Sequence, residues 1–180
     1  QHISDPILKK MNRKITRKEI EATMARVRRK LPDVAWRTTF IVGFPTETDQ
    51  DFEELVDFVS EGHFQHLGIF LYSDEDNIRS SKFGDPIPLS LKEERKNRLM
   101  EIQQKISREH HQKMVGSLQQ VLVGGFSSET DLLLEGRNQY QGPEVDGVVY
   151  INEGNATSAG FHQVEITEAH EYDLVGKILN

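Results

Sequence analysis

The sequence predicts a protein of two modules, an α/β segment over residues 1–115 followed by a small all-β barrel over residues 116–180. Helical and strand-like patterns alternate in the first segment, which is the order of a parallel sheet with helical connections. After Gly116, short alternating runs at turn-like spacing replace them. The charge changes at the same place. The first 115 residues carry +1, from 20 basic and 19 acidic side chains, whereas the remainder carries −8, from two basic and ten acidic ones.

Local patterns give the boundaries of the elements in the first segment. Thr16 and Glu19 have the spacing of a capping box, which marks the start of a helix. Phe52, Leu55 and Val59 recur at helical spacing after a polar opening. Runs of β-branched and aromatic residues predict the strands. In order, the predicted elements are a helix over 5–11, a helix over 16–31, a strand over 36–42, a helix over 49–61, a strand over 66–72 and a long helix over 90–114.

The turn Gly43-Phe44-Pro45 ends the first predicted strand, and ligands in α/β layers bind where parallel strands end. Gly43 either lets the backbone approach a flat ligand or serves only an ordinary strand-to-helix turn. Arg37 and Thr39 lie on one face of the strand, because side chains alternate along it. Arg37 is suited to hold a ligand carboxylate through two hydrogen bonds, and the alternative is a surface position.

Charged side chains predict a solvated surface for the long helix, whose seven bases and four acids give +3. His110 and His111 are neighbours on this helix and point in different directions, so we expect a solvated helix end and no shared metal ion. Glu47 and Asp49 are explained by the dipole of the helix that follows them, which favours carboxylates at its start. We therefore predict no catalytic and no metal-ligating side chain in this chain.

Five short runs predict the strands of a small antiparallel barrel of the OB-like kind. They cover residues 118–123, 132–136, 147–151, 162–167 and 172–178. Barrels of this kind that bind single-stranded nucleic acid have a basic groove with stacking aromatic side chains. Here Arg137 and Lys177 are the only basic side chains among ten acidic ones. Repulsion disfavours a polyanion, so the charge predicts a basic protein as the partner.

Composition excludes several classes of function. The chain has no cysteine, which removes disulfides, thiolate-bound zinc, iron–sulfur clusters and thiol nucleophiles from its own side chains. No apolar run approaches the roughly 18 residues of a membrane span, and no signal peptide is recognisable. We therefore expect a cytoplasmic protein without a membrane partner. The chain begins with Gln-His and enters a helical pattern at once, which predicts a fragment of a longer protein.

Several stretches that are spread over the whole chain carry a family resemblance. They are Gln1–Arg13, Arg37–Pro45, Lys92–Met100, Gly142–Tyr150 and Glu171–Gly176. In this order they resemble the carboxyl-terminal portion of the radical S-adenosylmethionine (SAM) methylthiotransferases of the RimO type, which modify a ribosomal protein. The stretch around Pro143–Gly147 resembles the RimO type rather than its tRNA-modifying relatives, whose final domain is usually more basic.

The resemblance implies that residues 1–115 form the last third of an open (β/α) radical SAM half-barrel, and that residues 116–180 form a TRAM domain. It also implies an activity, the insertion of a methylthio group at the β-carbon of an aspartate in the twelfth protein of the small ribosomal subunit. S-adenosylmethionine and two 4Fe–4S clusters would be needed. The cysteines that hold the clusters would lie outside this chain, so the fragment alone is expected to be inactive.

Five cofactor-binding candidates follow from the resemblance. By position, Gln1 would end one strand of the half-barrel, and Arg37 and Thr39 would line the next. Gly43 would close over the cofactor. Tyr72, or Phe70 beside it, would come from the last strand.

Two departures from the family pattern concern loops. Thr46 stands where the family usually has glycine, and it disfavours any turn that needs a positive φ. Residues 74–79 replace a usual pattern of Pro, Gly and Thr-Pro, so the role of that loop is not carried over to this chain.

Two other functions stay open from the sequence. A tRNA methylthiotransferase would use its TRAM domain to bind RNA. A non-enzymatic interaction module would use the α/β part only as a scaffold. The enzyme acting on a ribosomal protein is favoured, because ribosomal proteins are typically basic and the barrel is acidic. We do not expect tRNA as a partner.

Overall fold

The computed structural model describes residues 1–75, 82–156 and 159–179. The chain forms two compact units, residues 1–103 and 104–180. This division falls within the longest helix, and the module boundary expected between residues 115 and 116 stays a prediction. Residues 76–79 of the loop that departs from the family pattern lie outside the described residues. Across the described ranges, no helix has the length and apolar character needed to cross a membrane.

The first unit is built from helices around a pair of parallel strands. Its elements are α1 (Asp5–Lys10), α2 (Arg17–Lys30), β1 (Arg37–Val42), α3 (Asp49–Ser60), β2 (His66–Leu71) and the start of α4 (Leu89–Gln112). The two strands pair in parallel, with Arg37 opposite His66 and Val42 opposite Leu71. The predicted order of helices and strands is confirmed, and so is the parallel pairing. The half-barrel as a whole stays a prediction.

Capping boxes begin both α2 and α3. The Thr16 hydroxyl accepts a hydrogen bond from the Glu19 amide, and the Thr16 amide donates to the Glu19 carboxylate at 2.8 Å. Thr48 and Asp51 form the same arrangement, with the Thr48 amide donating to the Asp51 carboxylate at 2.9 Å. Each box satisfies amides that have no partner within the helix. The box predicted at Thr16 is confirmed.

The apolar stripe of α3 packs against one face of the sheet. Phe52, Leu55 and Val59 are at most 5% exposed, and they share a core with Phe40 and Val42 of β1. Full burial of each such side chain contributes roughly 1.5–3 kcal/mol. The stripe therefore attaches α3 firmly to this face and leaves the opposite face of the sheet uncovered by α3.

The second unit contains a closed barrel of five strands. They are β3 (Leu118–Phe126), β4 (Leu134–Arg137), β5 (Val149–Glu153), β6 (Gly160–Ala169) and β7 (Leu174–Ile178). Val121, Val149, Val164 and Leu174 are fully buried and fill its interior together with further valine and isoleucine side chains. Gly176 allows close packing there, because a Cβ at this position would lie 2.5 Å from a methyl carbon of Val164.

The barrel is mixed, so the antiparallel barrel predicted from the sequence is wrong in this detail. Neighbouring strands follow the order β3-β4-β5-β7-β6, and β6 closes against β3. The β5–β7 pair is parallel, with Val149 opposite Leu174, while the other four pairs are antiparallel. The reason is geometric. Antiparallel neighbours alternate in direction, and an odd number of strands cannot alternate all the way round a closed ring.

Candidate cofactor-binding site

The uncovered face of the sheet carries two of the predicted site residues. Arg37 and Thr39 are exposed on β1, and their partners in register on β2 are His66 and Gly68. Phe70 lies on the same face and is 63% exposed. Arg37 and Thr39 thus share a face, as the strand alternation predicted.

Two further candidates lie at the carboxyl-terminal edge of the sheet. The amide of Ile41 donates to the carbonyl of Gln1 at 2.9 Å, so the first residue lies beside β1. The amide of Tyr72 donates to the carbonyl of Val42 at 2.9 Å, which continues the pairing of β2 by one residue. The side-chain oxygen of Gln1 accepts from Nε of Arg13 at 2.8 Å. Gln1 and Tyr72 therefore flank the end of β1 from opposite sides.

Gln1 and Tyr72 line one cavity of about 450 Å³, which is within the usual range of small-molecule sites. Ile41 and Phe44 form apolar parts of its wall, and Arg13 contributes a cation. The rings of Phe44 and Tyr72 meet edge to face, with 5.3 Å between their centroids. A flat ligand with polar substituents suits this combination of an apolar wall, an amide and a guanidinium.

The other three candidates do not line this cavity. Arg37 and Thr39 lie on the sheet face that includes Ile41, but Arg37 is four residues away, about 13 Å along the strand. Gly43 adjoins Phe44 of the cavity wall. The contacts of these three residues with a cofactor stay predictions.

Gly43 has the positive φ that the strand-to-helix turn requires, at 77°. A Cβ there would lie 2.4 Å from Cγ of Lys92, so the space beside Gly43 is filled by the protein itself. The amides of Gly43 and Phe44 donate to the Glu47 carboxylate at 2.8 and 3.3 Å. Thr46 has no positive φ, so its replacement of the usual glycine does not strain this turn.

A buried ion pair stands behind the turn. Glu47 is 5% exposed and Arg95 of α4 is 3% exposed. The Arg95 guanidinium donates to Glu47 at 2.8 Å and to Asp49 at 2.7 Å. Burial raises the pKa of Glu47, and Arg95 and the two turn amides act in the opposite direction. The interaction with the helix dipole that the sequence predicted is thus only part of the role of Glu47. Its carboxylate also joins the turn to α4.

His2 and Ser4 extend this buried cluster to the first residues of the chain. The Ser4 amide donates to Nδ1 of His2 at 3.0 Å, and the Ser4 hydroxyl donates to Asp51. Burial lowers the pKa of His2 to about 4, so the ring is neutral at pH 7 and carries its proton on Nε2. That nitrogen is 3.7 Å from Glu47, too far for a hydrogen bond. His2 and Glu47 are therefore not an ion pair at neutral pH.

Helix α4 has an exposed outer face, as predicted, but two of its basic side chains are unexpectedly buried beside Leu99 on its inner face. Lys92, Arg95 and Leu99 are buried there. The Lys92 ammonium donates to the carbonyl of Tyr72 at 2.8 Å and to Asp85 at 2.6 Å. A signal for this was present in the sequence, since Lys92, Arg95 and Leu99 follow one another at spacings of three and four residues and therefore share one face of the helix.

The carboxyl-terminal end of α4 also differs from expectation. His111 is 8% exposed, and its Nδ1 donates to the carbonyl of His170 at 3.0 Å. The prediction of a solvated histidine is therefore wrong for His111, because its ring packs within the second unit beside His170. Within the described part of the chain, no group of three or more His, Cys, Asp or Glu side chains is arranged to hold a metal ion.

The barrel surface around Tyr150 is acidic. Burial raises the pKa of Tyr150, and the carboxylates of Glu129, Asp173 and Glu135 raise it further. Lys177, one of the two basic side chains of the barrel, is already engaged with a barrel carboxylate at 3.3 Å. This surface is therefore suited to a cationic partner.

Both units match known families. Residues 1–59 match the radical SAM superfamily, and residues 115–179 match the TRAM domain. The first match covers β1, the Gly43 turn and most of α3. The second covers all five strands of the barrel.

Curated relatives match over essentially the whole chain, and each is named ribosomal protein uS12 methylthiotransferase RimO. The protein of Bdellovibrio bacteriovorus is 50% identical over 99% of this chain and 39% of its own length. Those of Geobacter sulfurreducens and Desulfotalea psychrophila are 44% and 45% identical over the whole chain and 40% and 41% of their own lengths. The chain thus spans about two fifths of the length of these relatives. The resemblance to the RimO type is confirmed.

Proposed function

We propose that this chain is the carboxyl-terminal part of a RimO-type radical SAM methylthiotransferase, which inserts a methylthio group at the β-carbon of an aspartate in ribosomal protein uS12. The observation that carries the proposal is the identity of 44–50% across the chain to relatives named for this activity. In this proposal, residues 1–115 complete an open half-barrel and residues 116–180 are the TRAM domain. Its location would be the cytoplasm, where ribosomes are assembled.

The cavity at the sheet edge fits part of S-adenosylmethionine. Phe44 and Tyr72 would offer the apolar wall to its adenine, and Gln1 and Arg13 would offer polar groups at the rim. The chemistry that this cofactor supplies when bound is radical hydrogen abstraction. Lys92 holds the backbone of Tyr72 in place through its 2.8 Å hydrogen bond.

The remaining candidates take supporting roles in this proposal. Arg37 and Thr39 would face the cofactor from the uncovered side of the sheet, and Gly43 would shape the turn beside the cavity. The two 4Fe–4S clusters have no thiolate ligand in this chain, which contains no cysteine. Other parts of the protein would hold both clusters, and the chain alone would not catalyse the reaction.

The barrel would bind the substrate protein by charge. Its segment from Gly116 onward carries −8, from two basic and ten acidic side chains. Burial raises the pKa of Tyr150, and the carboxylates of Glu129, Glu135 and Asp173 raise it further, so all three charges act on this part of the barrel. A basic ribosomal protein would be attracted to this surface, and the attraction would weaken as salt is added.

Binding of purified uS12 to the chain tests this proposal. The triple variant Glu129→Gln, Glu135→Gln, Asp173→Asn should weaken binding about tenfold at low salt, since each surface charge contributes a fraction of the total. The control variant Glu54→Gln, Asp57→Asn, Glu61→Gln removes the same charge from α3 and its C-cap, and it should bind like the wild type. Equal binding by both variants would contradict the proposal, as would tight tRNA binding that depends on the barrel.

A further inference from the structure

The first 31 residues are strongly basic, with ten basic and three acidic side chains for a net charge of +7. All three carboxylates are already engaged. Asp5 accepts from the Arg17 amide at 2.7 Å, Glu19 closes the capping box, and Glu21 pairs with the Arg17 side chain at 2.7 Å. Seven basic side chains make no side-chain hydrogen bond or ion pair with any described residue. These are Lys9, Lys10, Lys14, Lys18, Arg26, Arg29 and Lys30.

Helix α2 concentrates three of these cations on its outer face. Its inner face is defined by Ile20 and Met24, which pack against the core of the first unit. An α-helix turns by about 100° per residue. Lys18, Arg26 and Arg29 therefore lie within about 50° of the direction opposite to Ile20 and Met24. All three are exposed. Lys18 and Arg29 are about 17 Å apart along the helix axis.

The surface between these cations is smooth. Ala22 and Ala25 lie on the same outer face and are exposed, and no residue of α2 is buried. Two carboxylates lie at the edges of this face, and both are engaged: Glu19 in the capping box with Thr16, and Glu21 in the ion pair with Arg17. An extended anion could therefore contact Lys18, Arg26 and Arg29 together across the two small alanine side chains.

We propose that this outer face of α2, defined by Lys18, Ala22, Ala25, Arg26 and Arg29, binds the phosphate backbone of RNA. Phosphate contacts need only positioned cations, which this face supplies. An acidic protein would find no aromatic or aliphatic anchor here. A membrane would find only the short side chains of Ala22 and Ala25 to insert on this face, because Ile20 and Met24 pack against the core. The choice of RNA over DNA rests on the proposed function, since RNA surrounds ribosomal proteins.

Fluorescence anisotropy with a labelled RNA duplex of about 20 base pairs tests this inference on the whole chain. The variant Lys18→Gln, Arg26→Gln, Arg29→Gln should bind at least tenfold more weakly at low salt. The slope of log K against log salt concentration should fall by about 2.7, which corresponds to three lost phosphate contacts. Glutamine forms helices well, so α2 should persist, and far-UV circular dichroism checks this.

A matched control separates this face from overall charge. The variant Arg98→Gln, Arg108→Gln, Lys177→Gln has the same net charge, but its three cations are already paired with carboxylates. It should keep the RNA affinity of the wild type. Equal loss in both variants would overturn the inference, as would polyglutamate or anionic vesicles binding as tightly as RNA. Binding of uS12 is measured separately, so failure here leaves the test of the barrel unaffected.

Discussion

Replacement of Arg95 by methionine tests whether the buried ion pair holds the Gly43 turn. Methionine keeps much of the apolar stem that packs near the Phe52 ring, where the guanidinium lies 5.2 Å from the ring centroid. It removes the charge that faces Glu47 at 2.8 Å. Among the described residues, the amides of Gly43 and Phe44 are then the hydrogen-bond donors that remain for the buried Glu47 carboxylate. The variant therefore isolates an uncompensated buried carboxylate.

The expected loss of stability follows from the geometry. Removing one partner of a buried ion pair typically costs about 3–5 kcal/mol. The two amides still stabilise the Glu47 carboxylate, so a value near the lower limit, about 3 kcal/mol, is expected at pH 7. The control variant Arg98→Met lies one turn further along α4, and its partner Glu53 is exposed. It should change the free energy of unfolding far less, because solvent already screens that pair.

The loss in the Arg95 variant should shrink as the pH falls. Burial already raises the folded-state pKa of Glu47, so its carboxylate destabilises the fold at neutral pH, and this destabilisation disappears on protonation. Without Arg95 that pKa rises further. Arg95 also lowers the pKa of His2, so its removal makes protonation of His2 in the folded state easier. Both effects make the difference in the free energy of unfolding between the wild type and the variant smaller at pH 5 than at pH 7.

Urea unfolding followed by tryptophan fluorescence measures this effect. Trp36 is the single tryptophan and packs against the core of the first unit, so its signal reports that unit alone. A loss for Arg95→Met no larger than for Arg98→Met would refute the role of the buried pair. A loss that stays constant between pH 7 and pH 5 would refute the assignment of the effect to Glu47.

Two further predictions concern the same unit and use the same fluorescence signal. The pKa of His2 falls from 6.5 to about 4 on folding, so its contribution to stability is complete above pH 6.5 and is lost as the pH falls through 4. Between pH 6.5 and 5 the free energy of unfolding should fall by about 1.5 kcal/mol because of His2, and the variant His2→Asn should lack this fall. The same pH dependence in the variant and the wild type would contradict this role of His2. Gly43→Ala should cost more than the roughly 1–2 kcal/mol of left-handed backbone strain, because Lys92 occupies the space of the new Cβ. Gly84→Ala has a similar positive φ but open surroundings, so equal losses would show that Lys92 simply moves aside.

Local patterns in the sequence were sufficient for most of the fold. The capping box at Thr16 and the stripe of Phe52, Leu55 and Val59 predicted their helices because these signals depend on near neighbours alone. The parallel β5–β7 pair could not be predicted in the same way. Its strands are separated by β6, and their relative direction is decided by closure of the whole ring.

The family resemblance, and not a local pattern, singled out Gln1 and Tyr72 as site candidates, and their contact with a cofactor stays a prediction. Gln1 and Tyr72 flank the end of β1 because strand ends in a parallel sheet meet at one edge. The ion pair between Glu47 and Arg95 was missed, because its partners are 48 residues apart and a mixed-charge helix usually faces water. Charge patterns alone do not show which cations of such a helix are buried.

The buried contacts of α4 have a consequence for the cavity. Lys92 holds the carbonyl of Tyr72 and fills the space beside Gly43, while Arg95 holds Glu47, which in turn holds the Gly43 and Phe44 amides. One helix thus supports both the Phe44 and the Tyr72 side of the apolar wall. Because neither Lys92 nor Arg95 lines the cavity, their effect on a bound cofactor would be exerted through the wall residues that they position. Substitutions at this inner face of α4 should therefore disturb the cavity as a unit, whereas substitutions at the exposed Arg98 should leave its shape intact.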